Sequence, residues 1–330
     1  MSSIKEKIKK LPKKPGIYMM KDLNGNIIYV GKSKSLRDRV KSYFINTDSH
    51  SRKIKRMVKN ISDISIVITD TELDALILEC EKIQEIKPMY NTLMKKYENY
   101  KYIKIDLHEN LGIHIVDDIR DDCIYLGPYT MDKKLEEYKK IVEECYKLPN
   151  CKKHTKCLRY DLNKCIGPCR NIENEKKYKE ILKSISSNFE EFNLDLLKNL
   201  NYKMKEETIL LNFEKANEIK KYIDLISSIL KKQKIINKLN ENKDILAWIN
   251  LNENVYKLYL IINGSIVYSE IIDITKINNN FKDELILNIS IKKIKYKENS
   301  MKKIDKSNID YINIIYNYIE KSEDISYIYI

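Results

Sequence analysis

Two tyrosines, an arginine and a glutamate are spaced in a way that would suit phosphodiester hydrolysis. Tyr18 and Tyr29 lie in two short β-type runs, GIYMMKD and NIIYVGK, joined through Asn24-Gly25. Lys32, Arg39 and Tyr43 follow soon after, and Glu79 stands later, in TELDALILECEKIQEIKP. A scissile phosphate needs cations to hold its oxygens and to stabilise a pentacoordinate transition state, which Lys32 and Arg39 could supply. A carboxylate such as Glu79 could anchor a Mg²⁺ (or Mn²⁺) that polarises the phosphate and helps the 3′ oxygen depart. A tyrosine hydroxyl could orient the attacking water, or deprotonate it if nearby cations lower its pKa.

The elements that must position these groups can be read in turn. Asn24-Gly25 inside LNGN predicts a type I′ hairpin, with positive φ at both central residues. Of the seven glycines in 330 residues, Gly16, Gly25 and Gly31 fall between positions 15 and 33. Gly16 and Gly31 are expected to leave room for a substrate backbone beside the tyrosines. SLRDRVKSYF predicts a helix opening on Ser35, with Asp38 completing a capping box. SRKIKRMVKNI predicts a basic helix, ISIVITD a strand, and Thr71 to Pro88 a helix with its stop. On that helix Glu79 shares a face with Ala75, Leu76 and Ile83, so its carboxylate is expected to be half-buried. The first hundred residues thus predict a compact mixed α/β module of order β-β-α-α-β-α.

Charge points to a polyanionic partner. The net charge is +13, and residues 32–59 hold ten Lys and Arg against two acids, Asp38 and Asp48. An AT-rich coding bias would spread lysine evenly, whereas this is a patch: Lys34, Arg37, Lys41, Arg52, Lys53, Lys55, Arg56 and Lys59 are the candidate DNA contacts. The charged start and the lack of any eighteen-residue apolar run support neither export nor membrane insertion. A cytoplasmic chain with no membrane partner is expected, its seven cysteines reduced or metal-bound.

Cys151, Cys157, Cys165 and Cys169 are spaced C-x5-C-x7-C-x3-C. That density suggests a metal site and leaves zinc and iron–sulfur both open. Cys80 and Cys123 stand alone and read as small core residues. Further on, two helical stretches are expected at 172–200 and 203–240, with an amphipathic run over 204–226. The tail, 245–330, predicts short strands and a helix near 308–321. Its acids, among them Asp244, Asp273, Asp283, Glu284, Asp305 and Asp310, show no strand framework that would gather them around two metals.

GIY at 16–18 and YVG at 29–31, followed by Arg39 and Glu79, resemble the GIY-YIG nuclease family. LPKKPGIYMMKDLNGNIIYVGKSKSLRDRVKSYF, TELDALILE and KPMYNTL are similar to the N-terminal half of the UvrC family, the incision subunit of bacterial nucleotide excision repair. The resemblance implies a single-metal nuclease cutting on the 3′ side of a lesion in double-stranded DNA. Glu79 would be the Mg²⁺ ligand and Arg39 the phosphate-binding cation. Tyr29 would be general base or water-orienting group, with Tyr18, Lys32, Tyr43 and Asn91 lining the site. The cysteine pattern resembles the UvrC region associated with a 4Fe–4S cluster, with a shorter loop before Cys157 that makes Cys145 or His154 a substitute for Cys151. Zinc remains the alternative. NFEKANEIK resembles the UVR motif that pairs with UvrB, making Phe213, Glu214, Ala216 and Ile219 candidate partner contacts, although Lys220-Lys221 replace the usual Arg-Asp.

The fold class expected is α+β in five parts. A nuclease domain at 1–100 is followed by a linker with strands and a helix at 101–148 and a cysteine region at 149–172. A helical segment spans 173–240, and an α/β tail spans 241–330. The resemblance implies a short form without the second, ribonuclease-H-like nuclease and the helix–hairpin–helix motifs, with no nucleotide cofactor of its own. A restriction- or homing-type nuclease and a non-catalytic adaptor for DNA and UvrB are the rival readings.

Overall fold

The computed structural model describes residues 2–45, 50–130, 132–150, 157–240, 244–276 and 304–330. The chain divides into two compact units, one of residues 1–98 with 238–330 and one of residues 99–237. In chain order the first unit opens with α1 (Ser2–Lys9), β1 (Gly16–Lys21), β2 (Ile27–Ser33), α2 (Leu36–Ser42), α3 (Arg52–Lys59), β3 (Asp63–Ile68) and α4 (Glu72–Ile86). After α1 this is the β-β-α-α-β-α order that the sequence predicts. The strands form an antiparallel sheet in the order β2-β1-β3. Alternation along β1 gives the sheet two cores. Tyr18 and Met20 pack with Leu36, Val40, Met57 and Ile64, while Ile17 packs with Val30, Ala75 and Ile83.

Two local expectations need correction. Only Gly25 of the Asn24-Gly25 pair has a positive φ, 80°. The loop runs from Asp22 to Asn26: Gly25 N donates to Asp22 O, and the Asp22 carboxylate accepts from the N–H groups of Asn24 and Asn26. The carboxylate thus organises a longer loop than the two-residue type I′ turn. At α2 the Ser35 hydroxyl donates to the Asp38 carboxylate (2.6 Å) and caps no backbone group. The capping box lies instead at α4, between Thr71 and Asp74.

The second unit holds β4 (Lys101–Asp106), β5 (Gly112–Val116), β6 (Ile124–Tyr129), α5 (Asp132–Cys145), the short α6 (Leu158–Asp161), α7 (Ile172–Ser187) and α8 (Phe189–Ile209). Most of α9 (Phe213–Asn240) belongs to it as well. The stretch 101–148, expected as a linker with strands and a helix, carries β4, β5, β6 and α5, and its strands form a β5-β4-β6 sheet. Ile103, Ile105 and Ile113 share a core with Leu135, Tyr138, Val142, Leu182, Leu196 and Ile226. Three helices replace the two expected at 172–240. The chain leaves helical geometry at Asn188 (φ −126°, ψ 45°) and again at Leu211, whose φ is 60°. At the second break Asn212 N donates back to Glu207 O, closing the end of α8 as in a Schellman motif.

The tail carries β7 (Ile245–Asn252), β8 (Val255–Ile262), β9 (Ser265–Asp273), α10 (Ile309–Lys321) and β10 (Ile325–Tyr329). Its strands form an antiparallel sheet in the order β10-β7-β8-β9, and α10 packs on α4. Asp48, Asp283 and Glu284 lie outside the described residues. Among the described residues no helix is long and apolar enough to cross a membrane.

Candidate active site

The hairpin places Tyr18 opposite Gly31 and Met20 opposite Tyr29. The two tyrosines are therefore diagonal neighbours, and their ring centres are 6.1 Å apart. Tyr43, arriving from the end of α2, completes a cluster with ring centres 5.9 Å from Tyr18 and 6.2 Å from Tyr29. The Tyr18 and Tyr43 hydroxyls share a hydrogen bond of 2.9 Å. A Cβ on Gly31 would run into the Tyr18 phenol. The room that Gly31 leaves is therefore filled by Tyr18, which is 1% exposed, and is not open to substrate as the sequence suggested.

A cavity of about 440 Å³ opens beside this cluster, lined by Tyr29, Arg39, Tyr43, His50, Lys53, Glu79 and Asn91 among others. Glu79 reaches it from the second turn of α4, where Ala75 and Ile83 anchor the helix on the sheet. One carboxylate oxygen accepts the Lys32 backbone N–H at 3.1 Å. Burial raises the Glu79 pKa above the ordinary glutamate value, against the pull of that N–H and of the Lys32 and Arg39 charges. Arg39 lies 5.2 Å from the Tyr43 ring centre, a cation–π distance. The cavity thus sets cations and phenols around one carboxylate, as a phosphodiester and a divalent cation would require.

Burial also pushes the Tyr29 phenol above its usual value, with the Tyr43 phenol and the Glu79 carboxylate adding to the shift and Arg39 opposing it. Tyr18 is raised in the same way, first by burial and then by Tyr43 and Tyr29. For both tyrosines the surroundings favour the neutral phenol.

Lys32 stands apart from the cavity: its ammonium is 2.5 Å from Glu72 Oε1. Asn91 reaches the cavity wall, but its amide is occupied. Its Oδ1 accepts from Val30 N and its Nδ2 donates to Val30 O, each at 2.9 Å, pinning β2 between Tyr29 and Gly31. Of the candidate DNA contacts, Lys41, Arg52, Lys53, Lys55, Arg56 and Lys59 are exposed, the last five along α3. Lys34 is held by Glu72 (3.0 Å) and Asp324 (3.2 Å), and Arg37 Nε donates to Leu11 O at 2.5 Å. Lys34 nonetheless remains exposed, whereas Arg37 is half-buried.

One residue of the wall was missed from sequence. His50 lines the cavity with its ring centre 6.4 Å from that of Tyr43, and its Nδ1 is buried without a hydrogen-bond partner. A lone histidine inside a basic stretch carries no spacing signal, and only the fold brings it to the tyrosines.

Cys151, together with its substitute His154, lies outside the described residues. Cys165 is buried and its sulfur accepts from Gly167 N at 3.4 Å; Cys157 precedes α6 half-buried, and Cys169 is exposed. Among the described residues no three His, Cys, Asp or Glu side chains form a metal-ready group. Cys80 is fully buried as expected, but Cys123 is only half-buried, in the bend before β6 where its backbone N–H donates to Asp121 Oδ1. At the segment 204–226, the turn at 210–212 breaks the single amphipathic helix expected there. Leu210, Leu211 and Phe213 are exposed, Glu214 with them, while Ala216 is buried and Ile219 half-buried.

A tyrosine hairpin leading to Arg39 on α2 and Glu79 on α4, around one cavity, defines a GIY-YIG domain. Residues 14–92 match the UvrC-like GIY-YIG domain, and residues 100–188 match the middle domain of the UvrC/Cho excinucleases. The UvrABC system protein C of Clostridium acetobutylicum is 34% identical over 281 residues, which is 82% of this chain and 45% of that protein. Its counterpart from Alkaliphilus oremlandii is 34% identical over 282 residues, with the same coverage. The crystal structure of the GIY-YIG N-terminal endonuclease domain of UvrC from Thermotoga maritima, bound to its catalytic divalent cation magnesium, is 32% identical. It covers 28% of this chain and 99% of that one, with a TM-score of 0.26. The chain belongs to the UvrC family, and it spans about half the length of the curated relatives it matches.

Proposed function

We propose that this chain is a metal-dependent DNA endonuclease of nucleotide excision repair, cutting one strand 3′ to a lesion in concert with UvrB. The observation that carries this reading is the single cavity on which Tyr29, Arg39, Tyr43 and Glu79 converge from separate elements. The residues suit a divalent cation: Glu79 offers a half-buried oxygen donor in a pocket whose wall also holds the Tyr29 and Tyr43 phenols, Arg39 and a set of apolar side chains. Mg²⁺ bound there supplies Lewis-acid polarisation of the phosphate. Arg39 holds a phosphate oxygen, the Tyr29 hydroxyl orients the attacking water, and Tyr18 with Tyr43 keeps that hydroxyl in place. Asn91 acts through β2, and Lys32 fixes α4 through Glu72.

Around the cut, α3 offers the duplex its exposed row of Arg52, Lys53, Lys55, Arg56 and Lys59. The exposed apex between α8 and α9, with Leu210, Leu211, Phe213 and Glu214, is the surface for UvrB, and Ala216 and Ile219 support it. Phe213→Asp should abolish co-purification with UvrB. The cysteine segment takes iron–sulfur rather than zinc, with Cys165 as the best-placed described ligand and Cys151, Cys157 and Cys169 as the others. Anaerobic purification decides this: a brown protein with iron and sulfide supports it, and a colourless, stoichiometrically zinc-loaded protein overturns it. The setting is the cytoplasm.

The whole reading is tested on an end-labelled duplex carrying one bulky adduct, in Mg²⁺, with and without UvrB loaded. A single UvrB-dependent cut 3′ to the adduct is expected. Cutting of undamaged DNA without UvrB would favour a restriction-type nuclease, and tight binding without cutting an adaptor.

A further inference from the structure

Helix α4 presents two neighbouring stripes one residue apart in phase. Ala75, Glu79 and Ile83 form the first, and Leu76, Cys80 and Gln84 the second. The first stripe packs on the sheet through Ile17 and Val30. The second faces the tail: Leu76 lines a groove with Asp310, Ile314 and Tyr318 of α10, and Gln84 Nε2 donates to Asp310 Oδ2 at 3.5 Å. Cys80, between them, is 0% exposed.

The tail also grips the start of the helix. The Thr71 hydroxyl, already part of the capping box, lies 2.6 Å from the Tyr259 hydroxyl of β8. Tyr259 donates to Asp74 Oδ1 at 3.2 Å, and Lys257 Nζ reaches Asp70 Oδ2 at 2.7 Å and Asp74 Oδ2 at 2.9 Å. Tyr259 is 0% exposed, Thr71 3% and Lys257 8%. The capping box already engages the Thr71 hydroxyl and the Asp74 carboxylate, so the contacts from the tail are an addition to it. Of the two carboxylates that the buried Lys257 ammonium joins, Asp74 on α4 is 21% exposed and Asp70 48%, so its removal chiefly leaves Asp74 unpaired. Glu79 sits about 12 Å along the same rigid helix from this grip.

We propose that the sheet and helix formed by residues 244–276 and 304–330 are a brace for α4 that sets where the Glu79 carboxylate stands, and with it the affinity of the site for a divalent cation; this rests on the nuclease reading above. Lys257 and Tyr259 are positioning residues, acting through Thr71, Asp74 and the helix.

The test uses the full chain and the variants Lys257→Met, Lys257→Arg and Tyr259→Phe. Cys80 alkylation is followed by peptide mass spectrometry, Mn²⁺ binding by electron paramagnetic resonance, and nicking as a function of Mg²⁺. Lys257→Met should speed Cys80 alkylation at least tenfold and weaken Mn²⁺ binding several-fold. Nicking at saturating Mg²⁺ should stay within twofold of the parent. Tyr259→Phe should do the same to a smaller degree, and Lys257→Arg should restore both readouts. Unchanged Cys80 protection in Lys257→Met and Tyr259→Phe overturns the brace. Faster alkylation with unaltered Mn²⁺ binding reduces the tail to a structural support and overturns the positioning claim. Mn²⁺ binding by the parent that Glu79→Ala leaves intact sinks the metal role of Glu79, whereas Cys80 protection still reports the docked tail.

Discussion

The cavity of the first unit is assembled from residues as far apart as Tyr29 and Asn91, while the four cysteines lie within nineteen positions. The distant set converges on one cavity; of the near set only Cys157, Cys165 and Cys169 are described, and these three form no metal-ready group by themselves. The contrast lies in what backs each group. Behind the tyrosines stand a three-stranded sheet with a core on each face, the Gly31–Tyr18 fit and the Asn91 clamp. Cys157, Cys165 and Cys169 are carried by a four-residue helix and the loops around it. Nearness in sequence shortens the loop that a site must close, but a buried scaffold is what fixes side chains within the tolerance chemistry needs.

The comparison breaks most sharply at the chemistry of the cavity. Tyr29→Phe removes only the hydroxyl proposed to orient water, so nicking should fall by about two orders of magnitude with DNA affinity intact, read by single-turnover cleavage. A loss under threefold would take Tyr29 out of the reaction.

The scaffold comes next. Asn91→Ala leaves a buried N–H and C=O of Val30 unpaired, at a cost of about 2 kcal/mol. For a unit of this size that should lower Tm by about 4–8 °C in calorimetry, with nicking reduced alongside. An unchanged Tm would show that β2 needs no clamp and return Asn91 to a direct role in the site.

How far each region could be read in advance follows the same physics. The strands and α4 were legible because periodicity is local, and the tyrosine–arginine–glutamate set was legible through its resemblance to the GIY-YIG family. Which tyrosine filled the space beside Gly31 was not, since it depends on the strand register that pairs Tyr18 with Gly31. The Asp22-centred loop mimicked an Asn-Gly turn, and Leu211 broke a helix that its apolar pattern predicted to continue, because a left-handed leucine gives no warning in composition. His50 and the grip of Lys257 on Asp70 and Asp74 arise only from tertiary packing.

Smaller effects sharpen the picture. Arg52, Lys55, Arg56 and Lys59 are replaced singly by alanine, and DNA affinity is read by fluorescence anisotropy across a salt series. Each replacement should make the slope of log affinity against log salt shallower by about 0.9 for every phosphate that the side chain neutralised. A slope that none of the four changes would move the duplex off α3.

The smallest shift concerns Glu79 itself. Its pKa is raised by burial, so in metal-free buffer it binds its proton more tightly when folded, and stability falls as pH rises from the ordinary value of 4.5 through the raised one. Glu79→Gln should therefore raise Tm at pH 7 by about 1–3 °C in chelator, and the gain should vanish as the pH falls towards 4. A variant that is less stable than the parent at pH 7 would mean that the carboxylate is not strained by its burial.

The most direct test of the central claim is single-turnover nicking and DNA binding by Glu79→Ala, measured side by side with the parent on the adduct duplex with UvrB. Loss of one carboxylate ligand predicts a fall of about a thousandfold or more in Mg²⁺-dependent nicking, with DNA affinity held within twofold. Parent-like nicking by Glu79→Ala would contradict the account, because no nuclease centre could then be built on this cavity.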